Sequence, residues 1–343
     1  MKVIIAGAGI AGSYLGKLLE SQPTLYDNNP KPGCGCGWGT ARSQVKRLLG
    51  EVGLNLDDYL LCEVEGYIDN KVFIPIRNCI TIDKPKLVYD LRKGLNIKKE
   101  KYSFKGNQEN LVVNATGIPS CEDVFRIQTI QERAIVKGAK EKVMYTYVNP
   151  RYAGYAWLFP LDEEGQLFHC GAGCFKGSPG RIIKEMLIYY GLEKEAIKCS
   201  CGADLYLADP RTVDLVRENL VAVGGAAGCV NPITGEGILP AMETASLLAK
   251  TLKNGSALEE YAASVRKMLE KYDKPYTFFY RMLTSPAWGW LSGLRYNTTK
   301  TIENFEPAPR FGTSTKLLLT SGAIYLKPPR AIKQSSALFG KSF

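Results

Sequence analysis

Two glycine-rich stretches and one aromatic run carry the chemistry readable in this chain. The first is Gly7-Ala-Gly-Ile-Ala-Gly12, which follows the apolar run Lys2–Ala6 and precedes a helix expected over Ser13–Glu20. Glycines at 7, 9 and 12 let a backbone approach a pyrophosphate closely. The helix N-terminus then meets the negative charge with unpaired N–H groups. The next predicted strand, Thr24-Leu-Tyr-Asp27, ends in an acid 20 residues after Gly7. That spacing suits a carboxylate gripping ribose hydroxyls, so strand, turn, helix and acid together point to a dinucleotide. The second stretch, Gly224 to Ile238, reads Gly-Gly-Ala-Ala-Gly-Cys-Val-Asn-Pro-Ile-Thr-Gly-Glu-Gly-Ile. The aromatic run is Tyr155-Ala-Trp-Leu-Phe-Pro160. Its alternate positions put Tyr155, Trp157 and Phe159 on one side of a strand. Spacing alone favours a plain hydrophobic core face there over a binding surface.

The elements that must position these residues follow from periodicity. Lys31–Thr40 is too glycine-rich for regular structure and reads as a loop touching the ligand, with Cys34 and Cys36 as loop thiols. Val45–Leu49 reads as helical, Val72–Ile76 and Cys79–Ile82 as short strands, and Asp83–Arg92 as a strand end entering a helix. Leu111–Gly117 is a buried strand closing on Ala-Thr-Gly. From Arg133 to Cys174 the pattern changes to short alternating runs, predicting an antiparallel sheet. Ser178-Pro179 starts a helix that ends near Gly191. Leu220–Val223 returns to a parallel strand, and helices follow over Leu239–Lys253 and Ala257–Tyr272, with Pro240 tolerable only in a first turn. The expected class is α/β: a Rossmann-like nucleotide-binding domain from residues 1–120 and 205–255, an inserted antiparallel-sheet substrate domain at 121–204, and a mainly helical region at 256–343.

Bulk properties limit the function classes. A chain of 343 residues, 45% hydrophobic and 23% charged, can bury a large core. No apolar run is long enough for a membrane span, and the opening strand leaves no room for a signal peptide, so a cytoplasmic location is expected. The single histidine, His169, cannot build a histidine metal site and reads as structural. No metal is expected. Ten cysteines include the C-x-C pairs Cys34/Cys36 and Cys199/Cys201, which lack the spacing of zinc or thioredoxin sites and read as free thiols. The net charge is +10, and residues 264–343 hold 13 Lys+Arg against 4 Asp+Glu. Aromatics interleave there, among them Tyr276, Phe279, Trp288, Trp290 and Tyr296. Such a surface suits an anionic lipid head group or a pyrophosphate, and a solvated basic face equally. No nucleic-acid motif accompanies it.

The motifs, in order over residues 1–253, resemble the geranylgeranyl reductase family of FAD-dependent enzymes, which includes archaeal reductases of isoprenoid membrane lipids. Tyr155–Pro160 is similar to that family's Tyr-x-Trp-x-Phe-Pro signature, the most discriminating match. The resemblance implies FAD held by Gly7, Gly9, Ala11, Gly12 and Asp27, by Cys36, Gly37 and Gly39 of the loop, by Lys84, and by Gly225, Gly237 and Ile238. It implies Tyr155, Trp157 and Phe159 as lining for a prenyl chain. It also implies hydride transfer to an isolated C=C bond of a prenyl lipid, diphosphate or quinone, with NAD(P)H or a ferredoxin as electron donor. Tyr155 and Cys36 are candidate proton donors, beside solvent. Two positions depart from the family: Gly225 stands where an aspartate is usual, forgoing a contact of about 1.5–3 kcal/mol, and Lys84 replaces an arginine. Two other readings remain open. One is an aromatic hydroxylase or halogenase on the same scaffold, although the halogenase Trp-x-Trp-x-Ile-Pro is not matched at its first Trp or its Ile. The other is a prenyl carrier without cofactor. Peripheral membrane association is an expectation from the basic tail.

Overall fold

The computed structural model describes residues 2–29, 37–104, 109–121, 124–284 and 306–307. Its first third runs β1 (Val3–Ala6), α1 (Ile10–Leu18), β2 (Thr24–Tyr26), β3 (Gly39–Ala41), α2 (Arg42–Glu51), β4 (Leu60–Asp69) and β5 (Val72–Ile82). Then come α3 (Lys84–Arg92), β6 (Asn96–Lys98), β7 (Leu111–Asn114), β8 (Val124–Lys137), β9 (Val143–Asn149), β10 (Gly154–Pro160) and β11 (Leu167–Cys174). The remainder is α4 (Pro179–Tyr190), β12 (Glu193–Ala208), β13 (Val216–Arg217), β14 (Leu220–Ala222), α5 (Ile238–Lys253), α6 (Leu258–Thr284) and β15 (Glu306–Pro307).

Two sheets organise these elements. The first has the order β13-β14-β7-β1-β2-β6 and is parallel from β14 to β6. Its central strands β1 and β7 are buried at every position, as strands covered on both faces must be. The second is a nine-stranded, mostly antiparallel sheet in the order β12-β8-β11-β10-β9-β4-β5-β15, with β3 also paired to β5. The two halves of the run read as separate strands at Val72–Ile76 and Cys79–Ile82 are one strand, with the extra residues between Pro75 and Cys79 bulging from β5 opposite Val64–Gly66 of β4. Through β3, β4 and β5 this sheet also draws on residues 39–82, inside the stretch assigned by sequence to the nucleotide-binding part. β4, β12 and the first half of β8 gave no signal in sequence, since their half-exposed faces carry mixed residues. Helix α6 runs past Tyr272 and carries Pro275 in its interior. Trp288, Trp290, Tyr296 and most of the basic tail lie outside the described residues.

Alternation along the large sheet separates two faces. Ala134, Val136, Ala156, Leu158, Phe168, Cys170, Ala172 and Cys174 point to one side and pack on Ile182, Ile183, Met186 and Leu187 of α4. Gln131, Arg133, Tyr155, Trp157, Phe159 and His169 have the opposite parity on the same strands. One face is thus a core beneath α4, which leaves the other for the site.

Candidate functional site

The first glycine turn has the geometry of an anion cradle. Gly7 takes φ +104°, and a Cβ there would fall 2.4 Å from the Ala115 carbonyl oxygen. A Cβ on Gly12 would fall 2.0 Å from the Gly7 oxygen. These two glycines permit the tight turn and the helix's approach to it. Gly9 differs: a Cβ there meets nothing within 4 Å. Open space therefore lies where a phosphate would approach, at the N-cap of α1, which has no side-chain cap and no acid in its first turn. The N-cap of α5, Gly237, has no side chain to cap with, and the Glu236 carboxylate just before it accepts from the Leu239 N–H at 3.4 Å. Helices α1 and α5 pack together, and Gly224 sits against both, since a Cβ there would fall 2.8 Å from the Ala11 methyl and 3.5 Å from that of Ala241. The bare N-terminus of α1 with its partial positive charge, and a cradle open at Gly9, fit a dinucleotide such as FAD.

Asp27 sits at this cradle in a clamp that sequence did not reveal. Its Oδ2 accepts from the Ala8 N–H at 3.0 Å and from the Arg92 guanidinium at 2.7 Å, while Oδ1 accepts from the Asn29 N–H at 2.7 Å. Arg92 also donates through Nε to the Ala8 carbonyl at 2.7 Å. The carboxylate is fixed in place beside the turn, and Arg92 lies one helix length from Lys84, too far along the chain for a motif to flag.

The second glycine stretch forms a 3-10 turn, Gly224–Ala227, closed by Gly228 in a left-handed conformation. A Cβ on Gly225 would lie 3.1 Å from both the Cα and the oxygen of Gly117. The turn packs directly on the Ala-Thr-Gly corner after β7. An aspartate here would have to push Gly117 back by a few tenths of an ångström, which gives Gly225 a packing reason. Asn231 then folds the rest of the loop: its N–H donates to the Glu236 carbonyl and its side-chain oxygen accepts from the N–H of Ile233 and Thr234. This delivers Gly237 and Ile238 to the start of α5.

The aromatic strand β10 lies between the two loops. Tyr155 and Trp157 have ring centroids 5.4 Å apart, and Trp157 and Phe159 stack at 6.2 Å. At one end the Tyr155 hydroxyl donates to the Thr234 carbonyl of the second loop. At the other, a Cβ on Gly37 would lie 2.9 Å from the Phe159 ring, and one on Gly39 3.4 Å from it. In the middle the Trp157 indole covers Gly171, where any Cβ would intrude to 2.1 Å. The three aromatics do share one side of the sheet. Burial raises the Tyr155 phenol above its ordinary value, so it stays protonated and its proton is committed to Thr234. Cys36, the other candidate proton donor, and Cys34 lie outside the described residues. Cys199 is a free, exposed thiol, whereas Cys201 is disulfide-bonded, so the Cys199/Cys201 pair is not closed on itself and Cys201 is not the free thiol expected.

His169, read as structural, sits on the site face of β11. Its Nδ1 accepts from Trp157 Nε1 at 3.2 Å, which places the proton of the neutral ring on Nε2. Burial, helped by the positive charges of Lys84 and Arg133, drops its pKa from 6.5 to about 3. Lys84, at the first position of α3 after the Asp83 cap, therefore reaches this region of the site. The pH consequence has a definite sign. The unfolded chain takes up a proton at His169 below about pH 6.5 and the folded one does not until about pH 3. Stability contributed by the neutral ring is complete above pH 6.5 and is lost on acidification, by about 1.4 kcal/mol per pH unit inside that window. His169→Gln should flatten the fall in Tm between pH 6 and pH 4 by about one proton's worth; an unchanged slope would place the acid sensitivity elsewhere.

Comparisons with known proteins bear on the fold that carries this geometry. No protein-family model matches the chain. A protein of Methanocaldococcus jannaschii without an assigned function is 23% identical over 80% of this chain and 90% of its own length. Digeranylgeranylglycerophospholipid reductase 2 of Methanosphaera stadtmanae is 26% identical over 36% of this chain, a match spanning 34% of that enzyme. Menaquinone reductase of Mycolicibacterium smegmatis is 28% identical over 41% of this chain and 37% of its own length. Among solved structures, a geranylgeranyl bacteriochlorophyll reductase-like protein of Thermoplasma acidophilum superposes with a TM-score of 0.63 at 15% identity, covering 98% of this chain and 94% of that one. The p-nitrophenol 4-monooxygenase of Pseudomonas putida gives 0.62 at 13% identity, covering 94% and 98%. The α/β flavoprotein fold is shared by both.

Proposed function

Taking the chain as a geranylgeranyl-reductase-like flavoprotein, the class its named relatives indicate, we propose that it saturates C=C bonds of a prenyl chain. The observation that carries this reading is the aromatic strand held between the two glycine loops. Bound and reduced, FAD supplies the hydride equivalent. The cradle at Gly7, Gly9 and Gly12 and the N-terminus of α5 at Gly237 and Ile238 would hold the cofactor's phosphates and ring system through backbone N–H groups. Tyr155, Trp157 and Phe159 would hold the chain, exclude water and present ring faces to positive charge developing on a tertiary carbon. Trp157 is kept in one orientation by Gly171 beneath it and His169 beside it. Tyr155 is the proton source this strand offers, reached by breaking its bond to the Thr234 carbonyl. The electron donor is proposed to be a reduced nucleotide or a ferredoxin meeting the protein transiently. Among the described residues no helix is long and apolar enough to cross a membrane, and a lipid substrate would be met at the membrane surface.

The test is anaerobic. Reduced, flavin-loaded protein is mixed with a geranylgeranylated lipid, and flavin reoxidation is followed beside the mass of the lipid. Reoxidation with two hydrogens gained per double bond is expected. A flavin that ignores the lipid but is reoxidised by oxygen when an aromatic substrate is added would replace this reading with a hydroxylase. A colourless protein that binds prenyl compounds without reaction would replace it with a carrier.

A further inference from the structure

On the site face of the large sheet, at the Phe159 end, four side chains carry buried polar atoms without a hydrogen-bond partner. Trp38 Nε1, both amide atoms of Gln131, Arg133 Nε and His169 Nε2 all lack one. They belong to one place. Gln131 pairs with Gly171 and Arg133 with His169 across β8 and β11, and Phe159 pairs with His169 across β10 and β11. The Trp38 ring lies 5.0 Å from the His169 ring, and the Arg133 guanidinium sits 5.6 Å from the Trp38 centroid. Gln131, His169 and Trp38 are each at most 2% exposed.

The chemistry of the set is one-sided. Trp38 Nε1 and Arg133 can only donate, and His169 Nε2 donates because Nδ1 already accepts from Trp157. Gln131 adds two further donor hydrogens against one acceptor. Arg133 has no carboxylate within 4 Å among the described residues, and the nearby Glu132 points to the other face, where it holds Lys194. Buried donors beside a half-buried guanidinium that no carboxylate pairs suit an occupant that accepts hydrogen bonds and is negative.

The same strand changes character along its length. On the parity of Arg133 and Gln131, β8 continues through Thr129 and Ile127 to Phe125. Eight residues of strand separate the two ends, about 27 Å. Phe125 meets Phe175 at 5.7 Å, Phe279 at 6.0 Å and Tyr280 at 5.9 Å. Between the ends Tyr155 and Trp157 lie alongside, two strands over. The site face is polar and cationic at one end and aromatic at the other.

We propose that Gln131, Arg133 and His169, closed over by Trp38, bind the anionic phosphate or diphosphate head of an amphiphilic substrate, with its apolar chain running along β8 toward Phe125. The niche deepens the reductase reading and rests on it for the identity of the chain. Trp38 covers the niche and is flanked by Gly37 and Gly39, so head-group entry displaces Trp38. His169 was assigned no role by motif; here it both orients Trp157 and points a proton at the head group.

The test uses the flavin-loaded full chain and calorimetric titration with inorganic diphosphate, geranylgeranyl diphosphate, geranylgeraniol and menaquinone. The diphosphate ester is expected to bind at least about tenfold tighter than the alcohol. Arg133→Met and Gln131→Leu should each weaken the ester roughly 10- to 100-fold while leaving the alcohol, the flavin content and the Tm unchanged. Equal binding of ester and alcohol overturns the niche. So does a loss of flavin in either variant, which would assign these donors to the cofactor, and so does a loss confined to menaquinone, which would assign them to a neutral carbonyl. Arg133-dependent binding of inorganic diphosphate with no binding of any prenyl compound would keep the niche and remove the prenyl reductase reading. No binding of any of the four removes both.

Discussion

Gly9→Glu should give a folded protein without its yellow colour. A Cβ at this position meets nothing within 4 Å, so the new side chain has room. A carboxylate at the N-cap of α1 also suits the helix, whose first N–H groups have no side-chain partner. Thermal stability should therefore hold or rise slightly. The same carboxylate would occupy the approach of the cofactor's pyrophosphate and meet its charge with like charge. FAD affinity should fall at least about 100-fold, roughly 2.8 kcal/mol. Gly12→Ala is the informative companion. Its methyl would lie 2.0 Å from the Gly7 oxygen, so the turn itself must open, and fold and flavin should be lost together. Equilibrium binding of FAD and a melting curve for both variants separate the two effects. Gly9→Glu protein that retains flavin with parental affinity would show that the pyrophosphate does not lie on this turn.

Trp157→Ala should cost both stability and turnover, and turnover more. The indole is 7% exposed, lies between Tyr155 and Phe159, covers Gly171 and donates to His169. Removing a packed aromatic of this size costs about 3–5 kcal/mol. Since Gly171 offers no side chain to fill the gap, the upper part of that range is expected. In the protein that remains folded and flavin-loaded, prenyl reduction should fall at least about 100-fold, because the wall that holds the alkene and shields it from water is gone. Trp157→Phe keeps a ring face and loses the bond to His169, so it should retain most of the stability and an intermediate rate. Single-turnover reoxidation per bound flavin is the measurement that matters. Rates within threefold of the parent in Trp157→Ala would make this strand a core wall and nothing more.

The sequence carried its strongest information where one residue type is required by backbone geometry. Gly7 and Gly12 can be nothing else, since any Cβ strikes a carbonyl oxygen, and such positions are legible without a fold. The helix boundaries at Ser178-Pro179 and Gly191 were legible for a local reason too: proline's fixed φ suits a first turn, and glycine takes the left-handed conformation that closes the last one. The alternation of Tyr155, Trp157 and Phe159 fixed that they share a side. It could not say whether that side was the core under α4 or the site, because both faces of β10 are apolar and alternation alone does not name the inner one.

Only the tertiary structure decided the rest, because it depends on pairs distant in the chain. Arg92 reaches Asp27 across 65 residues. Trp157 finds its partner in His169 through the β10–β11 pairing, which turns a lone histidine from filler into a neutral, oriented donor. Gly225 reads in sequence as a missing carboxylate and in space as a contact with Gly117. Gln131 and Arg133 carry no motif at all. Their meaning comes from β-strand parity, which sends them to the face opposite α4, and from Trp38 closing above them. Local sequence determined where backbone can turn and where helices start; the pairing of strands determined which polar groups are buried together, and burial is what gives those groups a function to explain.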